Sequence, residues 1–201
     1  MAYLKQWAQR SSNPLELRMP DLVSGSGEAV QSDAVSLAGE LDGIDLAYLD
    51  PPYNQHSYLG NYHVWETIAR GDQPEHYGVA AKRIDTRTSR SDFNSSRKAP
   101  EAFANLLNAL RTPWILVSFN NEGFLDRETI IEMLQHVRPH VMVLPVNSYP
   151  RYVGARIGIH DRHGRKVGEP GHLTNTEYLF LAGPRLDHAE TAMAAASRVI
   201  S

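Results

Sequence analysis

The sequence predicts an α/β fold, a mostly parallel sheet with helices on both faces and an antiparallel last strand. Three observations carry that expectation. Three largely apolar runs of six residues (44–49, 114–119 and 141–146) have the length and composition of buried strands. Segments of helical period alternate with them, the pattern of strand–helix units. A Gly- and Arg-containing stretch over 151–168 reads as a hairpin, which reverses the chain before a final strand at or near the sheet edge.

Each element has a local reason. Residues 1–29 are weakly patterned, with polar and turn residues around Ser11, Asn13, Pro14 and Pro20, and 24–27 read as a turn. Residues 30–32 suit a short strand, and 30–201 form the main domain. Residues 34–41 read as a helix stopped by Asp42-Gly43. The strand 44–49 follows. Tyr58, Tyr62, Trp65 and Ala69 then share one helical face over 58–70, and the rings of Tyr62 and Trp65 read as core packing. A polar, basic loop runs to Arg97.

Over 100–111, Phe103, Leu106, Leu107 and Leu110 form an apolar stripe, with Pro113 beyond the helix end. The strand 114–119 precedes a helix at 126–135, capped by Asp126. The strand 141–146 leads to the hairpin, which turns near His163-Gly164. A strand over 177–181 and a helix over 186–199 end the chain.

With 201 residues, 42% hydrophobic and 21% charged, the chain can bury a core and has no disordered-type composition. No run approaches 18 apolar residues, and no basic-then-apolar stretch opens the chain, so neither a membrane span nor a secretory signal is expected. The absence of cysteine excludes a disulfide framework, a zinc–thiolate site, an iron–sulfur cluster and cysteine catalysis, and suits a reducing cytoplasm. The nine histidines show no zinc-protease spacing, and His160 and His163, three apart in the hairpin, are a weak pair; no metal is expected.

The net charge of −3 hides an uneven distribution. Residues 82–98 hold six basic and two acidic side chains, and 151–166 hold five and one. The remainder is net −11. Two basic segments on an acidic body suit a polyanion met on one face. Arg87, Arg90 and Arg97 in the first segment, and Arg151 and Arg156 in the second, are the candidate phosphate contacts.

Ligands of such sheets bind beyond the carboxyl ends of the strands. The first strand is followed there by Asp50-Pro51-Pro52-Tyr53. A given tetrapeptide occurs by chance in about one chain in a thousand of this length. One reading is a stiff turn that ends a strand. The other is a clamp for the exocyclic amine of a nucleobase, whose lone pair is delocalised into the ring. Acceptors facing both amino hydrogens favour the pyramidal, nucleophilic nitrogen. The Asp50 carboxylate and a backbone carbonyl of the proline turn supply two acceptors, and Pro51 and Pro52 keep them aimed. Tyr53 offers a face on which an extruded base stacks.

The tetrapeptide continues as Asn54-Gln55-His56-Ser57-Tyr58 and Asn61-Tyr62-His63-Val64-Trp65-Glu66-Thr67. With these segments the sequence resembles the adenine-specific DNA methyltransferases of the alpha order. Ser118-Phe119-Asn120-Asn121-Glu122-Gly123, Arg151-Tyr152-Val153-Gly154 and Asn175-Thr176-Glu177-Tyr178 extend the resemblance over residues 30–183. It implies a Rossmann-like S-adenosylmethionine-dependent methyltransferase fold, of which 30–201 would be the C-terminal catalytic part, without the first strands. It also implies methyl transfer from S-adenosyl-L-methionine to the 6-amino nitrogen of a flipped adenine in DNA, as in restriction–modification systems, with no covalent enzyme intermediate. Asp33, 17 residues before Asp50, stands where the family places an acidic residue on the cofactor's adenine. It suits a helix N-cap equally, and one aspartate can serve both roles.

Asp21-Leu22-Val23-Ser24-Gly25-Ser26-Gly27 looks like the family's cofactor glycine loop. Only 22 residues separate Gly27 from Asp50, too few for the strand–helix units expected between them, so a plain loop is the better reading. A separate target-recognition domain does not fit there either. Independent cofactor binding would then depend on a missing N-terminal part or a second subunit. Alternative readings are methylation of RNA adenine or of cytosine 4-amino groups, and a non-catalytic remnant that binds nucleic acid or a partner. At the second strand's end, Asn120, Asn121 and Glu122 suit the same crevice or a plain turn.

Overall fold

The computed structural model describes residues 13–14, 18–19, 21–22, 24–150, 159–160, 165–168 and 174–186. The chain divides into two compact units, Met1–Gln31 and Ser32–Ser201. In the first unit, residues 24–31 are exposed and form neither helix nor strand, so Ser24-Gly25-Ser26-Gly27 is a loop. The strand expected over 30–32 is also absent. Backbone groups form a strand only against a neighbouring strand, and these exposed residues have none.

The second unit opens with α1 (Ala34–Glu40), capped by the Asp33 side chain, and β1 (Leu46–Leu49) follows. Helix α2 (Tyr58–Arg70) starts at a Ser57 cap and ends at Gly71, whose left-handed φ of 62° suits glycine. In place of the expected loop, residues 76–83 form a small antiparallel hairpin, β2 (His76–Tyr77) and β3 (Lys82–Arg83), followed by two 3₁₀ turns, Ile84–Arg87 and Asp92–Asn94. Next come α3 (Ala99–Ala109), β4 (Trp114–Asn120), α4 (Arg127–Val137) and β5 (His140–Pro150). The strands β6 (Ile159–His160) and β7 (Lys166–Gly168) pair antiparallel, as the hairpin reading requires; its turn at 163–164 lies outside the described residues. The last strand is β8 (Thr174–Gly183), and the helix expected over 186–199 falls almost wholly outside the described residues.

The main sheet has the order β1-β4-β8-β5. Strand β1 runs parallel to β4, and β8 is antiparallel to both of its neighbours. Three of the four strands therefore share one direction, with the reversed β8 inserted between β4 and β5. It lies one strand in from the edge because β5 pairs along its outer side over ten register positions. β1 is the opposite edge of this sheet, so the expected burial on both faces fails: Leu46 is 48% and Tyr48 58% exposed.

The core forms where α3 and α4 cover the sheet. Phe103 and Leu107 of α3, Ile130 and Leu134 of α4, Ile115 and Val117 of β4 and Phe180 of β8 are almost fully buried. Each such side chain contributes roughly 1.5–3 kcal/mol by leaving water. Helices α1, α3 and α4 pack on one another in series, whereas α2 packs against β3 and the turn after it. No residue of α2 is buried. Tyr62 and Trp65 are thus surface rings, 54% and 66% exposed, and not core; helical spacing marks a shared face without specifying what covers it. Among the described residues, no helix is long and apolar enough to cross a membrane.

Candidate active site

The parallel register of β1 on β4 sets Leu49 beside Val117, so the chain leaves both strands at the same end of the sheet. Asp50-Pro51-Pro52-Tyr53 follows β1 there, and the 120–125 loop follows β4. The two loops are joined. The Phe124 N–H donates to the Tyr53 carbonyl at 2.8 Å, and the rings of Tyr53 and Phe119 meet edge-to-face with centres 5.6 Å apart. Pro51 is buried and Pro52 half-buried, while Asp50 is exposed. The turn is therefore held by packing on its proline side and left open on its carboxylate side.

That open side is one wall of a cavity of about 1000 Å³, lined by Asp33, Asp50, Pro51, Pro52, Arg90 and Phe93 among others. Helix α1 brings Asp33 to this cavity, although it is 17 residues from Asp50. Its Oδ1 accepts the Val35 and Ser36 N–H groups at 3.1 and 3.0 Å, which is the helix cap. The Ser36 hydroxyl donates to the same oxygen at 3.3 Å. The other oxygen, Oδ2, has no hydrogen-bond partner among the described residues. Asp33 is thus the cap of α1, as one of its two readings expects, and also a residue of the cavity wall.

Tyr53 does not line the cavity. Its ring is half-buried on Phe119, and the aromatic walls are Tyr48, Tyr58 and Phe93. The arginines of the first basic segment separate in space. Arg90 lines the cavity, and the Arg87 guanidinium lies 4.0 Å above the centre of the Tyr77 ring. Arg97 is exposed and lines neither this cavity nor the one that adjoins it. Arg151 and Arg156 lie outside the described residues.

One cation of that segment is structural. Arg83 is 3% exposed and binds Asp72 through both terminal nitrogens, at 2.6 and 2.8 Å; it also binds Asp85. These contacts hold the Asp72 and Asp85 carboxyls below the usual aspartate range. Thr67 of α2 accepts a further Arg83 hydrogen bond, at 3.1 Å, so the guanidinium ties the hairpin to α2. A buried arginine in a polar segment reads as a free charge in sequence, because its two carboxylate partners are set by the hairpin fold.

Asn120, Asn121 and Glu122 act as a turn, and none of them lines this cavity. Asn120 Oδ1 accepts the Glu122 N–H at 2.9 Å; Asn121 bonds the backbone of Thr174 and Thr176, and Glu122 accepts from Asn175 at 2.6 Å. They fasten β4 to β8. A residue without a sequence signal, Asn94, does more at the site. Its side-chain amide donates to the carbonyls of Asn54 at 2.8 Å and His56 at 3.2 Å, fixing the segment after the tetrapeptide from 40 and 38 residues away. No local pattern could expose a contact of that separation.

The comparisons fit this geometry. The family model for D12 class N6 adenine-specific DNA methyltransferases matches residues 1–119, more than half of the chain. The chain is 34% identical to the modification methylase StsI of Streptococcus sanguinis over 136 residues, 67% of this chain and 20% of that protein. It is 36% identical to the type II methyltransferase M.FokI of Planomicrobium okeanokoites over 154 residues, 75% of this chain and 24% of that protein. With the type II methyltransferase M.NlaIII of Neisseria lactamica it shares 30% identity, over 71% of this chain and 42% of that protein. The chain thus spans about a fifth to a quarter of StsI and M.FokI. No solved structure gives a significant match. A tetrapeptide at the end of an edge strand, a cavity walled by Asp33 and Asp50, and a family match that spans both agree: the chain belongs to the D12 class N6 adenine-specific DNA methyltransferase family.

Proposed function

We propose that the chain carries the base-binding half of an adenine-specific DNA methyltransferase, acting on the 6-amino group of an adenine turned out of the duplex. The observation that carries this reading is the shared cavity of Asp33 and Asp50, with the rigid Pro51-Pro52 turn in its wall. Its volume, about 1000 Å³, is at the upper end of ligand pockets and suits two nucleoside-sized groups side by side.

S-adenosyl-L-methionine is the proposed methyl donor and, when bound, supplies an electrophilic methyl group on a sulfonium. Asp33 fits it, because the Oδ2 left over from the helix cap is an acceptor on the cavity wall. Asp50 and a carbonyl of the proline turn accept the two amino hydrogens of the adenine, which localises the nitrogen lone pair for attack. The prolines prevent those acceptors from turning away as charge develops. Asp50 takes the proton that the methylated amine loses and passes it to solvent. Phe93 and Tyr58, the aromatic surfaces of the cavity wall beside the turn, are assigned the stacking face, and Tyr53, packed on Phe119 outside that wall, is assigned to hold the turn.

DNA is the proposed partner, with a cytoplasmic location and a role in restriction–modification. The stretch between 27 and 50 supports dependence on a second polypeptide segment for full cofactor binding. Incubation of the protein with labelled S-adenosyl-L-methionine and unmethylated duplex DNA, followed by nucleoside analysis, tests the reading. The expected product is N6-methyladenine. N4-methylcytosine, or methylation of RNA alone, would replace the substrate assignment, and cofactor binding with no transfer to any nucleic acid would reject the enzyme reading.

A further inference from the structure

A second cavity, of about 540 Å³, adjoins the first and shares Ser57, Asn94 and the 89–92 turn with it. Its chemistry is different. Three carboxylates, Asp33, Asp50 and Asp92, line the Asp50 cavity beside apolar surface with Arg90 as its one cation, whereas Lys82 and Lys98 join Arg90 on the second, among the hydroxyls of Ser57 and Ser95. Only one carboxylate lines it, Asp92, and Lys98 takes that partner at 2.9 Å. Among the described residues, neither Lys82 nor Arg90 has a carboxylate within ion-pair distance. The cavity therefore carries two uncompensated positive charges.

The hairpin explains why one of them points inward. Successive strand residues face opposite ways, so the Arg83 side chain meets Asp72 and Asp85 while Lys82 faces the cavity. Lys82 is half-buried, and its Nζ would lie 3.9 Å from a β-carbon at Gly60, so its head is held against α2. An ammonium on a polar cavity wall without a counter-charge is a ready partner for an anion. Hydroxyl donors beside two cations are the partners of phosphate oxygens.

We propose that this second cavity is a phosphodiester subsite, in which Lys82 and Arg90 hold a DNA backbone phosphate next to the nucleotide whose base enters the Asp50 cavity. The proposal rests on the base-methylation reading above, yet uses side chains that the chemistry at Asp50 does not. It replaces a diffuse basic loop by two cations at one place: Arg83 is consumed by its aspartates, and Arg87 is held on Tyr77.

The test is the salt dependence of duplex binding, measured by fluorescence anisotropy between 50 and 200 mM salt, without methyl donor. Lys82→Gln and Arg90→Gln should each lower the slope of log K against log salt by about 1. Lys82→Arg should restore it, and Arg127→Gln, a cation that lines neither cavity, should leave it unchanged. Asp50→Ala should also keep the wild-type slope. A wild-type slope in Lys82→Gln/Arg90→Gln overturns the subsite, as does failure of the wild-type protein to bind duplex at 50 mM salt. Should Lys82→Gln unfold the hairpin, Arg90→Gln in an exposed turn gives the same readout. Normal slope effects combined with undiminished methylation by Asp50→Ala would instead keep the subsite and reject the base clamp.

Discussion

The carbonyl of Tyr53 accepts a hydrogen bond from the backbone N–H of Phe124 at 2.8 Å. This one contact links the loop after β1 to the loop after β4, the two loops that parallel pairing brings to the same end of the sheet. The position of the Asp50 turn is thus decided by β4 and its loop as well as by its own prolines.

The same junction makes Gly123 sensitive. A β-carbon there would clash with Phe119 Cε1, and Phe119 is 4% exposed, so its ring has little room to yield. Gly123→Ala is expected to lower stability by about 1–3 kcal/mol. Methyl transfer should fall as well, because the ring that must move is the one against Tyr53. Chemical denaturation and a methylation assay on the same preparation check both outcomes.

Asp50 is the opposite case. It is exposed, and no hydrogen bond ties its side chain to the described residues. Asp50→Ala should reduce methyl transfer by about 10²–10³-fold, the cost of losing one aimed acceptor. Its unfolding free energy should stay within about 0.5 kcal/mol of wild type. A variant that methylates at the normal rate would remove Asp50 from the chemistry.

Asn94 works through the chain that follows the tetrapeptide. Asn94→Ala deletes both donors to the Asn54 and His56 carbonyls and should cost about 1–2 kcal/mol of stability. Steady-state kinetics should show kcat falling more than KM rises, since the loop loses its aim while Asp33, Asp50 and the aromatic walls of the cavity stay in place. Equal loss of both, or of neither, argues for a purely structural amide.

The Arg83 cluster makes the hairpin acid-sensitive. Asp72 and Asp85 have carboxyls held below the usual aspartate value of 3.8 by Arg83, so their stabilising effect is complete above that value. It is lost as pH falls through their lowered folded values. Arg83→Met should melt at lower temperature than wild type at pH 7, and the difference should shrink steadily as pH drops below about 4. Thermal melts from pH 7 to 3 read this directly, and a constant difference would show that the pairs carry no net stability.

Much of the fold was readable locally. The helix over 58–70 has the bounds observed for α2, because Ser57 and Gly71 punctuate it with local chemistry. Asp126 caps α4 through the Thr129 N–H at 2.7 Å, again a contact three residues long. The strand over 30–32 failed because strand formation is a property of a pair. The exposed rings of Tyr62 and Trp65 failed for a related reason: periodicity aligns side chains on one face, and only neighbouring elements decide whether the face is covered. The basic segment is the clearest example. Its charge was legible, while the pairing of Arg83 depends on how the hairpin brings Asp72 and Asp85 to one guanidinium.

The sequence by itself determined the Asp50-Pro51-Pro52-Tyr53 tetrapeptide, its place after a strand, the reversed last strand and the family. These rest on chemistry encoded within a few residues: fixed proline dihedrals, apolar runs and helix caps. Only the tertiary structure decided that Asp33 and Asp50 share one cavity and that Tyr53 leans on Phe119. It alone showed Asn94 holding the segment behind the turn, and Lys82 and Arg90 meeting in a second cavity. Those relationships join residues 8 to 66 positions apart. Their distances are fixed by strand pairing and helix packing, which no local pattern carries.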